Sequence, residues 1–484
     1  MPTLEVIEQL AKRRGFFYPS SEIYGGLSGL YDYGHLGVLM KRKIEDSWRK
    51  YFLDEENFYE VDPSTIMHEK VFEASGHLKS FVDPVARCKV CHTTHRADFI
   101  VEEFLKQKFT GMTPMELQEL IKEHKVRCTN CGGELEEVGV LNLMFPLDVG
   151  LEKKGYLRPE TAQGVYVNFQ RQFEVLRKRL PLGLAIVGKA FRNEISPRQL
   201  TIRMREFTQA ELQIFFDPEK PTHEDFISVK KYELILLPAT KKKQSHVEIA
   251  VEDAVKKFGL SEIYAYYLAK IQKFFLEKLM IPKAKFRFRE LDEEERAFYN
   301  KTHWDIELKL GSLQDFKEVG GLHYRADHDL SGHEKISKQS QEIFFEEKKF
   351  IPHVLELSFG IDRILFSLLD IFYEKEKDRT LLKLPSNSAP ITVSVFPLVN
   401  KDGLDKKAKE VHKILKKELE TFYDDSGSIG RMYARSDEIG TPFAVTIDFE
   451  TKKDDTVTVR ERDSKRQHRV KIDSLINFIE KKFS

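Results

Sequence analysis

The sequence predicts an α+β protein with a mixed N-terminal region and a smaller C-terminal domain, on the strength of three stretches. AIVGKAFRNE and MREFTQAELQIFF each read as a strand, and a loop of about ten residues separates them, which predicts an antiparallel hairpin. HVLELSFG predicts another strand, and the amphipathic IDRILFSLLDIFYE after it predicts a helix. Beyond the linker LKLPSNSAP, strand and helix patterns alternate and predict a compact α/β domain.

Composition limits the class of protein. The chain has 484 residues, of which 41% are hydrophobic, enough for well-formed cores. Its N-terminal stretch is charged and amphipathic, and no apolar run is long enough for a membrane span, so we expect a cytoplasmic protein without a membrane partner. Lys plus Arg equals Asp plus Glu at 78 each. Any nucleic-acid surface must therefore be a local patch.

All four cysteines fall in two CxxC pairs, Cys88 with Cys91 and Cys128 with Cys131. In a chain without a secretion signal, such pairs favour a tetrahedral thiolate site for Zn²⁺ over disulfides. Four thiolates leave no open coordination position, so the zinc is expected to be structural. The stretch between the pairs has a helical pattern, which predicts a zinc-ribbon-like unit with an insertion. The alternative is four reduced thiols without a metal.

Residues two apart in a β-strand point to the same face of the sheet, and this places polar residues of the hairpin on one face. On the first strand, Arg192 and Glu194 share that face. The second strand adds Arg205, Phe207, Gln209 and Glu211. The alternative is a solvent-exposed sheet face with cross-strand ion pairs. An exposed Phe207 would be unfavourable, and the apolar flanks do not suit an edge, so the pattern favours a binding surface.

The strand at residues 353–360 and the helix after it point to an anion site. Parity places Val354, Glu356, Ser358 and Gly360 on one face of the strand. Arg363 lies in the first turn of the helix, where a cation opposes the helix dipole. An arginine there can grip a phosphate bidentately or stack on a planar base. A nucleotide ligand is therefore expected.

These stretches also resemble a known family. FRNE, followed by REFTQAE, resembles motif 2 of the class II aminoacyl-tRNA synthetases, and ELSFGIDR resembles their motif 3. Three more stretches narrow the resemblance: SSEIYGGLSGLYDYGHLG, RPETAQG, and RSDEIGTPFAVTIDFET with TVRERD. In this order, and over essentially the whole chain, they are similar to the homodimeric type of glycyl-tRNA synthetase.

The resemblance implies a fold and a function. The fold would be the class II antiparallel sheet flanked by helices over residues 1–385, with a zinc-ribbon-like insertion near 85–140 and a helical insertion near 217–285. Residues 386–484 would form an anticodon-binding domain. The enzyme would activate glycine with ATP to glycyl-adenylate and pyrophosphate, then transfer glycine to the 3′ end of tRNA(Gly). Mg²⁺ would accompany ATP, and the motif 1 region, residues 32–52, would form a homodimer.

Residue roles for ATP follow from the same resemblance. Arg192 would contact the α-phosphate and Glu194 the adenine, with Phe207 and Arg363 on the two adenine faces. Glu318 would help to hold Mg²⁺. The full set implied for ATP is Arg192, Asn193, Glu194, Ile202, Arg203, Met204, Arg205, Glu206, Phe207, Glu318, Val319, Gly360, Ile361, Asp362 and Arg363.

Glycine offers an ammonium group for recognition and no side chain. The resemblance implies that Glu160, Glu211, Glu356 and Ser358 hold this ammonium, and that larger amino acids are excluded sterically without an editing domain. The full set implied for glycine is Arg96, Glu160, Phe207, Thr208, Gln209, Ala210, Glu211, Glu356, Leu357, Ser358, Phe359 and Gly360. The basic residues expected to meet tRNA in the last domain are Arg431, Arg435, Arg460, Arg462, Lys465 and Arg466.

Other functions remain open on the sequence. EKISKQS and HLGV resemble class I synthetase motifs, but a class I enzyme needs a parallel nucleotide-binding fold that the antiparallel hairpin excludes. A synthetase for serine, threonine or proline would share motifs 2 and 3 but not RPETAQG. A non-catalytic relative would be expected to lose Arg192, Glu194 and Arg363, which are present.

Overall fold

The structure is a computed structural model that describes residues 2–107, 109, 112–151, 153–240, 246–293, 295–296, 300–377 and 379–483. The helices are α1 (Leu4–Arg14), α2 (His35–Arg49), α3 (Glu69–Ala74), α4 (His77–Ser80), α5 (Ala97–Leu105), α6 (Pro114–Glu123), α7 (Ala162–Tyr166), α8 (Phe169–Val175), α9 (Phe226–Val229), α10 (Val251–Phe258), α11 (Glu262–Lys273), α12 (His328–Ser337), α13 (Ile361–Ile371), α14 (Leu404–Leu415), α15 (Ile429–Glu438), α16 (Thr451–Asp454) and α17 (Leu475–Phe483).

Most strands are short, and the longest lie in the middle of the chain. They are β1 (Phe17–Pro19), β2 (Tyr31–Tyr33), β3 (Tyr59–Glu60), β4 (Ile66–His68), β5 (Val82–Arg87), β6 (Thr94–Arg96), β7 (Gly139–Asn142), β8 (Phe145–Val149), β9 (Lys153–Leu157), β10 (Leu182–Phe191), β11 (Glu206–Phe216), β12 (Glu233–Leu237), β13 (Val247–Ala250), β14 (Phe286–Glu290), β15 (Thr302–Leu310), β16 (Asp315–Ala326), β17 (Ile343–Phe345), β18 (Lys348–Phe350), β19 (His353–Gly360), β20 (Tyr373–Lys375), β21 (Thr380–Leu382), β22 (Val393–Pro397), β23 (Thr421–Tyr423), β24 (Phe443–Ile447), β25 (Thr456–Glu461) and β26 (Gln467–Lys471).

A nine-stranded sheet organises the larger region, in the order β13-β12-β14-β15-β16-β19-β11-β10-β3. The central strands from β14 to β10 pair antiparallel, and the parallel pairs are β12 with β14 and β10 with β3. The predicted hairpin is confirmed as β10 and β11. The antiparallel α+β architecture expected from the sequence is therefore present.

One face of this sheet is covered by helices and forms the main core. Apolar residues of α2, α11 and α13 pack there against the inward-facing side chains of β11, β15, β16 and β19. Helix α13 has a fully apolar inner stripe that includes Ile364, Leu365 and Leu368, and its burial fixes the helix immediately after β19. Arg363 is thereby held at the sheet, in the first turn of α13.

The two predicted insertions differ in outcome. Helices α5 and α6 occupy the stretch between the cysteine pairs, as the sequence pattern predicts. The segment from Asp217 to Lys285 contains α9, α10 and α11, but it also supplies β12 and β13 to the large sheet. The expectation of a helical insertion is wrong in this respect, because the short apolar ELILL is a buried strand whose pattern does not distinguish it from a helix.

The C-terminal region folds around its own mixed sheet, in the order β23-β22-β24-β25-β26. Its core joins Val395, Val445 and Val459 of the sheet to α14 and α17. Glu438 of α15 in this region makes ion pairs with Arg13 and Arg14 of α1.

None of the helices in the part of the chain that the structure describes has the length and apolar character needed to cross a bilayer.

Candidate active site

The uncovered face of the large sheet is polar, because side chains alternate along each strand. Leu212, Leu357 and Leu322 lie opposite one another on β11, β19 and β16 and point into the core. Their sequence neighbours point the other way and form rows across the strands. We define the first row as His303, His323, Glu356 and Gln213. We define the second row as Asp305, Gly321, Ser358 and Glu211.

A cavity of about 550 Å³ lies over these rows, large enough for a small-molecule ligand. The residues expected at ATP that line it are Arg192, Glu194, Ile202, Arg203, Met204, Phe207, Glu318, Val319, Gly360, Asp362 and Arg363. The residues expected at glycine that line it are Glu160, Phe207, Thr208, Gln209, Glu211, Glu356, Ser358 and Gly360. Most residues of both predicted sets thus line one cavity.

Arg192 belongs to the cationic end of the cavity, which we define as Arg192, Arg203 and Arg363. The strand β10 ends at Phe191. Arg192 and Glu194 therefore lie in the loop after the strand, whereas the sequence pattern predicted that both belong to the strand. Arg192 Nε donates to the Pro159 carbonyl at 3.0 Å, and its guanidinium lies 5.3 Å from the Phe207 ring centroid. These contacts hold the guanidinium at the cavity wall.

Arg363 reaches the same end from the first turn of α13. Its Nε donates to the Ile202 carbonyl at 2.9 Å, and its Nη1 donates to a carboxylate oxygen of Glu318 at 2.8 Å. The Glu318 side chain is half exposed; partial desolvation in the cavity favours its neutral carboxyl, but the charges of Arg363, His303 and Arg192 outweigh this effect and lower the pKa of Glu318. An ionised carboxylate therefore lies between arginines at this end.

Three buried polar atoms near this end have no hydrogen-bond partner among the described residues. They are Nη1 of Arg203, Oε2 of Glu194 and Oε1 of Gln209. A buried polar group left unpaired costs about 1–3 kcal/mol, and a ligand that supplies the missing partner removes that cost. One donor and two acceptors in a cavity wall are therefore evidence for a polar ligand.

The carboxylate end, which we define as Glu160, Glu211 and Glu356, lies over the two rows. Oε2 of Glu211 accepts hydrogen bonds from Thr161 Oγ1 at 2.6 Å and from the amides of Thr161 and Ala162 at 3.0 Å. Its Oε1 accepts from Ser358 Oγ at 2.8 Å. These bonds fix the orientation of the carboxylate.

Arg325 is the buried cation of this end, and its side chain is only 1% exposed. It donates to Asp329 at 2.7 and 2.9 Å and to Glu356 at 3.1 Å. Gln213 also donates to Glu356, at 2.8 Å, and His323 lies 2.5 Å from it. The network is anchored by residues of four different strands and helices.

The carboxylates of this end titrate unequally. Burial, followed by the neighbouring charges of Glu356 and Glu160, raises the pKa of Glu211 to about 7. Burial opposes the ionisation of Glu160 as well, but Arg325 outweighs it and lowers the pKa of Glu160 well below its usual range. The guanidinium of Arg325 contacts Glu160, Asp329 and Glu356, and Glu211 adds a fourth carboxyl group to this end. The excess negative charge suits an ammonium ligand.

Some predicted residues lie outside the cavity. The side chains of Ala210, Leu357, Phe359 and Ile361 are buried in the core, so only their backbone faces the ligand side. Glu206 pairs with Lys189, and Arg205 donates to the carbonyls of Glu194 and Ser28. The backbone N–H of Asn193 donates a hydrogen bond to the Leu143 carbonyl.

Arg96 stands behind the cavity wall. It pairs with Asp83 at 3.0 Å and with Asp98 at 2.6 Å, and it lies over the Phe99 ring. Asp98 itself lines the cavity, so the cysteine-bearing insertion reaches the site through Asp98. The structure thus places Arg96 next to the site, behind the residues that line the cavity.

Several residues of the site were missed by the sequence reasoning. They are Arg289, His303, Asp305, His323 and Arg325, all on β14, β15 and β16. The sequence does contain a pattern that indicates these residues, because HWDIELKL and GGLHYRA alternate polar and apolar residues as the second strand of the hairpin does. Parity applied to these stretches would have placed the polar residues on the site face.

The four cysteines form one cluster. Their Sγ atoms all lie within 4.8 Å of one another, with Cys88 to Cys131 at 3.5 Å and Cys91 to Cys128 at 3.6 Å. A tetrahedral site with Zn–S bonds of about 2.3 Å requires Sγ atoms about 3.8 Å apart. His95 Nε2 lies 3.1 Å from Cys128 Sγ, as an outer-shell partner of a thiolate would. The donor set and its spacing fit Zn²⁺.

In the C-terminal region, two arginines expected to contact tRNA have another role. Arg460 donates to Asp437 at 2.8 Å, and Arg462 donates to the carbonyls of Leu384 and Gly440. Both are less than 10% exposed. They hold this region together, while Arg431, Lys465 and Arg466 are exposed.

Comparisons with known proteins identify the domains of this fold. The tRNA synthetase class II core domain (G, H, P, S and T) matches residues 147–372, and the anticodon binding domain matches residues 392–482. A prolyl-tRNA synthetase structure from Cryptosporidium parvum has the same fold, with a TM-score of 0.61 at 14% identity over 99% of this chain and 77% of that one. The sheet, cavity and domains define a class II aminoacyl-tRNA synthetase.

The particular family follows from the curated relatives. The chain is 40% identical to the glycine–tRNA ligase of Thermococcus sibiricus and 41% identical to that of Pyrococcus horikoshii, each over 97% of both chains. It is 38% identical to that of Methanocaldococcus jannaschii over 99% of this chain and 98% of the other. The chain belongs to the glycine–tRNA ligase family.

Proposed function

We propose that this protein activates glycine with ATP, forming glycyl-adenylate and pyrophosphate, and then transfers glycine to the 3′ end of tRNA(Gly). The observation that carries the proposal is the single cavity with a cationic end and a carboxylate end on one face of the sheet. A nucleotide triphosphate suits the first end and an amino acid's ammonium group suits the second. Their reacting groups would meet between the two ends.

At the cationic end, Arg192 would contact the α-phosphate. Phe207 and Arg363 would stack on the two faces of adenine, because a guanidinium plane and an aromatic ring both suit a flat base. Oε2 of Glu194 lies 3.8 Å from Arg203 Nε but has no hydrogen-bond partner among the described residues, which supports a contact with the adenine amino group, a donor. Nη1 of Arg203 also lacks a hydrogen-bond partner among those residues, which supports a phosphate contact.

At the carboxylate end, Glu211, Glu356 and Ser358 would hold the glycine ammonium, with Glu160 adding negative charge. Arg325 keeps Glu356 oriented and lowers the pKa of Glu160, so that Glu160 stays ionised beside the ligand. Recognition by charge alone would accept any amino acid. Selection for glycine must therefore come from restricted space.

The chemistry needs positioning and no protein nucleophile. A carboxylate oxygen of glycine attacks the α-phosphorus of ATP in line, the bond to the bridging oxygen breaks, and pyrophosphate leaves with the electron pair. A terminal ribose hydroxyl of tRNA then attacks the adenylate carbonyl and AMP leaves. Arg192 and Arg363 would stabilise the negative charge that spreads over the phosphate oxygens.

The proposal includes Mg²⁺ with ATP. Glu318 is an ionised oxygen donor at the phosphate end, and Mg²⁺ is usually held by one or two carboxylates together with substrate phosphates. Bound there, the ion would neutralise phosphate charge. The residues around it would still orient the nucleotide through Arg192 and Arg363.

Exchange of labelled pyrophosphate into ATP tests the activation step. We expect exchange to depend on glycine, and Arg192→Ala to lower kcat/KM by about 10- to 100-fold, as for the loss of a charge-assisted hydrogen bond. Arg171→Ala, an exposed arginine of α8, is the matched control and should leave the rate unchanged. An exchange rate that does not change when glycine is added, or that rises more with alanine or serine than with glycine, would contradict the proposal. Charging of tRNA(Gly) transcript tests the second step.

We also propose that the cysteine cluster binds one structural Zn²⁺. Metal analysis of the purified protein should find about one zinc per chain, because all four ligand positions are thiolates. The Cys128→Ser variant should lose the zinc, while the control variant Thr129→Ser, which changes a residue between Cys128 and Cys131, should keep it. A purified chain that holds no metal and gains no thermal stability from added Zn²⁺ would refute the zinc site.

Finally, we propose a homodimer formed near the motif 1 region. The buried residues of α2 face the core of the same chain, as they would in a monomer. The support comes from the preceding loop, where Ile23 and Tyr24 are 88% and 87% exposed and Leu27 is also exposed. Sedimentation should give a dimer, and Tyr24→Asp should weaken it. A monomer at micromolar concentration would contradict this.

A further inference from the structure

His323 occupies a position in the cavity that none of the motif resemblances covers. It lies in the first row, directly opposite His303 on one side and Glu356 on the other. Its Nδ1 is 2.5 Å from Oε1 of Glu356, and the His303 and His323 ring centroids are 4.1 Å apart. The ring is thus wedged between a carboxylate of the amino-acid end and a second imidazole.

The neighbouring glycine shows where the ring leans. A Cβ added to Gly321 would lie 2.5 Å from Nε2 of His323 and 3.1 Å from Nε2 of His303. Gly321 belongs to the second row, between Asp305 and Ser358. The His323 ring therefore extends over the second row, into the space that the missing side chain of Gly321 leaves free.

The contact with Glu356 assigns the proton positions of the His323 ring. Beside it, His303 Nε2 lies 3.0 Å from Asp305 Oδ1. Burial, together with the charges of His303 and Arg325, lowers the pKa of His323 well below its usual value, so this imidazole is neutral. Its Nδ1–H then donates to Glu356, and its Nε2 carries a lone pair.

We propose that His323 is a specificity-determining residue of the amino-acid end, with two separable tasks. Its Nδ1–H fixes the Glu356 carboxylate for the substrate ammonium. Its ring, leaning over Gly321, fills the space beside Ser358 and Glu211 that a substrate side chain would need. The inference rests on the proposed function, because it assumes that an amino acid binds at the carboxylate end.

Two substitutions separate these tasks. His323→Ala removes both the donor and the ring, whereas His323→Asn keeps a donor near the Nδ1 position and removes the far half of the ring. Pyrophosphate exchange is measured with glycine and with alanine for each variant, with ATP varied separately. His353→Ala is the control: this histidine lies on the neighbouring strand β19, contacts Tyr324 and does not line the cavity.

For His323→Ala we expect the KM for glycine to rise about tenfold and the preference for glycine over alanine to fall about 10- to 100-fold, the range for one methyl group in a fitted pocket. His323→Asn should lose a similar preference while raising the KM for glycine clearly less than His323→Ala does. The KM for ATP should stay constant in both, and the control should match the wild type.

The outcomes distinguish this inference from the proposed function. Wild-type exchange that does not depend on glycine would refute the proposed function. Glycine-dependent wild-type exchange, combined with His323 variants that still reject alanine and keep the glycine KM, would overturn the inference alone. If His323→Ala unfolds, His323→Asn decides the question through the alanine preference.

Discussion

The two ends of the cavity are built differently. The cationic end comes from chain segments outside the strands: the loop after β10, the turn Leu200–Ile202 and the first turn of α13. The carboxylate end comes mainly from residues inside the long strands β11, β16 and β19 and from the segment at Glu160. One end is thus formed by loops and a helix start, and the other by the rigid centre of a sheet.

The hydrogen bonding of the two ends differs in the same sense. Arg203 and Glu194 each retain a buried atom without a hydrogen-bond partner among the described residues, whereas Glu211 and Glu356 accept hydrogen bonds through both oxygens. Glycine has few atoms with which to order a site, so a site for it must be ordered in advance. ATP can supply many partners of its own. The difference suits a small substrate at one end and a large one at the other.

Removing the central cation of the carboxylate end should have the largest effect. Arg325→Ala leaves several buried carboxylates without their guanidinium, and breaking such a network costs about 3–5 kcal/mol of unfolding free energy. Urea denaturation of this variant and of the surface control Arg171→Ala measures the difference. An Arg325→Ala protein as stable as the control would show that the end is not pre-organised by this residue.

Glu211→Gln should separate the two ends kinetically. We expect kcat/KM for glycine to fall by about 10- to 150-fold, as for the loss of a hydrogen bond to a charged group, with the KM for ATP unchanged. The pKa of about 7 gives a further signature. Below it Glu211 is protonated and neutral, so wild-type glycine binding should strengthen as the pH rises through 7. The Gln variant should lack this rise, and a rise that persists would assign it to another group.

Arg363→Ala should produce the opposite pattern. The KM for ATP should rise about 10- to 100-fold, because a stacking and charge-assisted contact is lost, and the KM for glycine should change by less than threefold. Initial rates with each substrate varied in turn give both values. Equal changes in the two KM values would mean that the ends are not separate.

Glu194→Gln should have the smallest effect. The amide keeps the shape of the side chain but can accept or donate, so discrimination between ATP and GTP should fall by about tenfold, with little change in the ATP rate. Exchange assays with the two nucleotides measure it. Unchanged discrimination would place the adenine contact elsewhere.

The sequence predicted the strands and faces that carry a clear period of two. β11 and β19 alternate polar and apolar residues along part of their length, and this alternation correctly separated Glu211 and Glu356 from Leu212 and Leu357. It failed at Arg192, where the strand has already ended. Strand ends depend on hydrogen bonds to other segments, such as the Arg192 amide to the Arg205 carbonyl, and these are not visible in local pattern.

The polar network behind the site was harder to predict. Arg325 lies at the end of β16 and Asp329 at the start of α12, four residues apart, a spacing that in sequence suits an ordinary surface pair. Their burial depends on the packing of α7 and α12. His323 carried no motif, and its role depends on Gly321 beside it and on His303 from another strand. Such contacts between distant segments arise only when the sheet is assembled.

The most direct test of the two-ended cavity is a crystal structure of the protein with a non-hydrolysable glycyl-adenylate analogue. We expect the glycyl ammonium within hydrogen-bond distance of Glu211 or Glu356, the adenine amino group at Glu194, and the phosphate-mimicking group beside Arg192. An analogue bound in the opposite orientation, or outside this cavity, would contradict the account.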